Sequence, residues 1–131
     1  MAKATSPIFT HEPLLGLAQA TLADALLDTP VNFVTVVTGN AEGTRIDLVR
    51  AKATVVTTAG MLRLFIWNGT NSRLIKEIPM AAITPSATVE SFEAEWTPTE
   101  PIVLPDATWE LRASISAAEA TNIYAFGGHF G

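Results

Sequence analysis

Few side chains in this 131-residue sequence have a type and spacing suited to chemistry. His11 and His129 stand near opposite ends of the chain. A metal site or a hydrolytic triad would need the fold to join them and to add a third group that the spacing does not reveal. They read as two exposed polar tips. Glu90, Glu93 and Glu95 offer carboxylates for acid–base work. Yet Glu93 and Glu95 share one face of an alternating segment, where acids are simply solvated. Asp24, Asp28, Glu42 and Asp47 do not keep the spacing of a calcium loop. Gly39-x-x-x-Gly43 lacks the Lys-Ser/Thr of a phosphate loop and lies between strand-like runs, so it reads as a turn. Asn68-Gly69-Thr70 matches a glycosylation acceptor, but that pattern is common by chance and the turn is the better reading. With no cysteine in the chain, thiolate nucleophiles, thiolate metal sites and disulfides are all excluded. The expectation is a protein that is not an enzyme, with no catalytic residue, no metal ligand and no cofactor.

Aromatic residues suggest binding instead of catalysis. Trp67, Trp96, Trp109 and Tyr124 could form the flat platform on which sandwich modules hold sugars. Trp96 and Trp109 fall in register with other apolar residues of their segments, which favours the core. Trp67 ends its segment beside Asn68-Gly69 and is the candidate exposed aromatic.

These residues must be positioned by one domain, given the length. Charged residues are only 16% of the chain while hydrophobic ones are 48%, so something other than water is expected to cover part of the surface. Thirteen acidic against eight basic residues give a net charge of -5, which argues against a nucleic-acid partner. No run approaches the ~18 apolar residues of a spanning helix, and the first twelve residues lack the apolar region of a signal peptide. No membrane partner and no secretion are expected.

Residues 1–12 carry Pro7 and no period, and read as an extended N-terminal arm; residues 13–131 form the single domain. Residues 13–28 are ambiguous. Leu14, Leu15, Ala18, Leu22, Ala25 and Leu26 have helical spacing, against which stands Gly16. From Val31 the signal has period two. Val31–Thr38 stops at the Gly39–Gly43 turn, and Arg45–Thr57 resumes the pattern. Met61–Trp67, Asn68–Ser72 and Arg73–Ile78 read as a β-hairpin, with Asn-Gly supplying positive φ. Phe92, Ala94 and Trp96 alternate with Glu93 and Glu95; Trp109, Leu111, Ala113 and Ile115 alternate with Glu110, Arg112 and Ser114. Between them, Thr97–Pro105 carries three prolines around a short apolar segment, fit for an edge strand or crossover. Asn122–Phe126 is a last strand. The fold class expected is all-β: an antiparallel β-sandwich, jelly-roll-like. The apolar ends lack this period, and Ile8, Phe9, Phe126 and Phe130 are candidate contacts with neighbouring subunits.

The segments Gly43–Asp47 and Thr57–Ile78 resemble small virion structural proteins of tailed bacteriophages, some of them capsid decoration (cement) proteins. The similarity continues through Ala82-Ile83-Thr84-Pro85-Ser86 and Leu111–Ser114, spanning roughly residues 13–126. Its most specific part is Leu62–Glu77. The resemblance carries no catalytic motif. It implies a β-sandwich on the outer surface of a phage shell, bound to the major capsid protein and to copies of itself, a trimer being favoured. Such a protein would be made in the cytoplasm of the bacterial host. It also implies a strand followed by a loop for residues 13–28, from which the Ala-Leu-rich stretch Thr21–Asp28 departs. A tail, neck or baseplate component, and a carbohydrate- or host-surface-binding module, are the alternatives.

Overall fold

Segments of period two become strands in the computed structural model, which describes residues 12–130. Nine strands are formed among these residues: β1 (Glu12–Ala20), β2 (Val34–Thr38), β3 (Thr44–Ala53), β4 (Gly60–Trp67), β5 (Ser72–Met80), β6 (Glu93–Trp96), β7 (Ile102–Leu104), β8 (Glu110–Ile115) and β9 (Thr121–His129). The first sheet has the order β1-β9-β3-β6, with β7 beside the other end of β3; the second has the order β2-β8-β4-β5. All pairings between named strands are antiparallel. Strand β1 thus pairs with β9, β2 with β8, β3 with β6 and β7, and β4 with β5. Such nested pairs, rolled so that they alternate between two sheets, make a jelly roll, as the alternation of the sequence predicts.

The two inner faces make one core. Ile46, Val49, Ala51, Ile123 and Ala125 of the first sheet and Leu62, Leu64, Leu111, Ala113 and Ile115 of the second are all buried in it. Phe92, Ala94 and Trp96 point inwards, as do Trp109, Leu111, Ala113 and Ile115; both tryptophans are half-buried against the core. The Asn68 turn forms as the sequence requires, with Gly69 at φ 93° and Asn68 Oδ1 accepting the N–H of Thr70 and of Asn71. Gly43 likewise turns with φ 99°.

One ambiguity resolves and the two ends of the chain change. Residues 13–28 are a strand followed by a loop, the alternative left open beside a helix. Gly16 gives the reason: a Cβ there would lie 2.6 Å from the Val36 carbonyl oxygen and 2.4 Å from Val37 Cγ2. Strand β1 lies that close to β2, and tertiary packing overrides helical propensity. Glu12 belongs to this strand, opposite His129, and not to an arm; residues 1–11, with His11, Ile8 and Phe9, lie outside the described residues. The C-terminal residues Phe126–His129 also continue a strand and do not form a loose end. At Gly127 a Cβ would overlap the Arg45 carbonyl, so glycine lets β9 run on past the bulge between Ile46 and Leu48 in β3.

Residues 21–33 form a strap across the outer face of the second sheet. Ala23 bridges Ile115 of β8, and Asp28 Oδ1 accepts the Leu74 N–H of β5. Phe65 shows what the strap does. Its pairing with Arg112 puts it on the outer side of β4, yet it is 0% exposed.

Candidate functional site

Asp24 organises the strap. Its Oδ1 accepts the Leu26 N–H at 2.8 Å, and its Oδ2 accepts the N–H of Val31 at 2.8 Å and of Asn32 at 2.7 Å. Burial alone would raise its pKa; the amides of Asn32, Leu26 and Val31, with the nearby Arg63, outweigh burial and hold the carboxyl below its ordinary value. Asn32 Nδ2 closes the loop on the Ala23 carbonyl. Beside it Arg112 is stacked between the rings of Phe33 and Trp67, 4.1 Å from each centroid, with its Nε donating to Glu110. Trp67, the candidate exposed aromatic, is therefore half-buried with a guanidinium against its ring. This is a packing device that holds the strap to the sheet. Leu22, Leu26, Leu27 and Val31 are exposed on the strap itself.

The outer face of the first sheet has no such cover among the described residues. Its register sets Leu15 beside Phe126 and Leu17 beside Tyr124, and places Arg50 beyond Tyr124 and Lys52 beyond Asn122. Leu15 and Leu17 are each 59% exposed. Phe126, a candidate subunit contact, is half-buried here, with the Arg50 guanidinium 5.6 Å from its ring centroid. A shallow depression is lined by Leu15, Arg50, Lys52, Glu93, Tyr124 and Phe126. Towards β6 the face becomes ionic. Arg50 donates to Glu95 at 2.6 Å, and Lys52 Nζ lies 2.6 Å from Glu90 and 3.8 Å from Glu93. The Lys52 ammonium, by hydrogen bond and charge, draws the Glu90 carboxyl below its ordinary value. The three acidic residues are thus held in cation pairs and are not placed as a mutual carboxylate pair.

The remaining candidates have local partners. His129 is no exposed tip: it is half-buried on β9, its Nδ1 2.7 Å from Oγ1 of the buried Thr44. Phe130 donates its N–H to the Gly43 carbonyl at 2.9 Å and lies against that turn. Asp24 and Asp28 bind backbone amides, and Asp47 pairs with Arg45 at 2.6 Å. Among the described residues no three His, Asp or Glu gather as metal ligands would.

No family model matches the chain, and no curated protein matches it in sequence. The site must be read from its geometry. What sequence reasoning missed is the apolar outer row of β1 and the strap. In β1 both faces are apolar, so alternation could not mark Leu15 and Leu17 as outward-facing. The strap depends on Asp24 meeting amides up to eight residues away.

Proposed function

We propose that this chain is a phage capsid decoration protein that binds the outer surface of the assembled shell, associates with copies of itself and stabilises the particle. The observation that carries the reading is the outer face of the first sheet, uncovered among the described residues, where Leu15, Leu17, Tyr124 and Phe126 form an apolar row beside paired charges. An apolar centre with a polar rim is how association surfaces are built. The resemblance of Leu62–Glu77 to phage structural proteins points the same way, and the jelly roll is an architecture used in viral shells. Fold alone implies no function, so the face and the resemblance together support the proposal.

The mechanism is linkage. A protein that binds only the assembled shell favours that state over dissociation. Individual contacts can be weak, because a symmetric lattice presents them at high effective concentration. Quantitative mass spectrometry of purified particles tests this. Copy numbers comparable to the major shell protein are expected; a handful of copies would place the chain in the neck or tail, and absence from clean particles would overturn the reading. A sugar-binding role is favoured only by the depression at Tyr124 and Phe126. It predicts glycan binding that Tyr124→Ala abolishes.

A further inference from the structure

The four edges of the two sheets are not equally prepared for water. Strand β5 carries Arg73, Lys76, Glu77 and Pro79, shifts register at Leu64/Phe65, and gives its Leu74 N–H to Asp28. Strand β2 is five residues long and irregular between Thr35 and Val37. Strands β6 and β7 are four and three residues long. Short length, bulges, prolines and charges are the known ways to stop an edge from recruiting another strand. Strand β1 has nine residues and a regular register; its one proline, Pro13, stands next to its start, and from there to Ala20 it has no charged side chain. Among the described residues no strand lies on its other side.

We infer that β1 pairs antiparallel, edge to edge, with β1 of a second copy of this chain. The sequence is self-complementary about Gly16. Pairing the whole strand puts Glu12 opposite the partner's Ala20, and the same register puts Leu15 opposite the partner's Leu17 and Leu14 opposite the partner's Ala18. The outward row of each first sheet then continues into that of the other, whereas a one-residue slip would set the outward face of one copy beside the inward face of its partner. The two first sheets become one, and their rows of Leu15, Leu17, Tyr124 and Phe126 become continuous. The contact is two-fold and isologous, so it makes a dimer and not the trimer that the phage resemblance favours. The inference deepens the self-association proposed above and rests on that part of it alone.

The cysteine-free sequence makes the register testable. Leu15→Cys and Leu17→Cys variants of the full chain are oxidised separately and as a mixture. Directly opposed residues have Cα atoms about 4.5–5.5 Å apart, within disulfide reach, whereas the like pairs lie on diagonals of about 7–8 Å. The mixture is expected to give one covalent dimer containing both variants, with neither variant linking to itself. Sedimentation velocity of the unchanged chain is expected to show a dimer that Leu17→Lys converts to a folded monomer with an unchanged far-UV circular dichroism spectrum. A monomer at high micromolar concentration, a trimer, or self-linking of either variant would overturn the inference. Each leaves the particle copy number a separate question.

Discussion

Strands β1 and β5 have the same length and the same position, each closing one side of its sheet, and they are built oppositely. Strand β5 is charged and is capped by Asp28 from a strap that also covers its sheet, while each of the two strands has one proline next to an end. Strand β1 has Leu15 and Leu17 in the open and only Gln19 as a polar outward residue. The difference teaches that the edge of one sheet is blocked by charge and by the strap, while the edge of the other is left able to pair. Its low charge is not spread evenly.

The largest break in this contrast should come from Asp24. Replacing it with Ala leaves three backbone N–H groups without their charged acceptor, and a loss of about 3 kcal/mol in urea unfolding is expected. The strap should then loosen and expose Phe65, read as increased binding of an apolar dye. Acid should act in the same direction. The Asp24 carboxyl lies lower in the folded chain than in the unfolded chain. Its contribution is complete above the unfolded value, about pH 4, and is lost as pH falls through the lower folded value. Unfolding free energy measured against pH should show this fall, and Asp24→Asn should flatten it.

The β1 side should yield to a smaller change. Gly16→Ala puts a methyl group against the Val36 carbonyl and Val37, and should cost about 2–3 kcal/mol in the same unfolding assay. Smallest of all is the exposed Arg50–Glu95 pair. Glu95→Gln should change stability by less than about 0.5 kcal/mol, and less still in high salt.

The sequence made the β-sandwich legible where alternation separates two kinds of residue. Glu93 and Glu95 against Phe92, Ala94 and Trp96 left one choice of face, and Asn68-Gly69 marked a hairpin through its need for positive φ. Strand β1 was illegible because Leu14 and Leu15, facing opposite ways, look alike in a sequence. A helical spacing of Leu and Ala survived there by accident of composition. Only the 2.6 Å approach to Val36 shows why Gly16 must be part of a strand. The role of Asp24 was hidden for another reason: its partners are amides, which every residue has. Spacing singles out Trp67 and Phe126 as aromatic residues near an end of their segments, but Arg112 and Arg50 on their rings are beyond its reach.

Residue-resolved amide hydrogen exchange, followed as the protein concentration is raised, compares the two edges most directly. The outward-directed amides of β1 should become protected with increasing concentration, while the amides of β5 keep one rate throughout. Exchange in β1 that is independent of concentration, or protection rising equally in β5, would contradict the asymmetry on which this account rests.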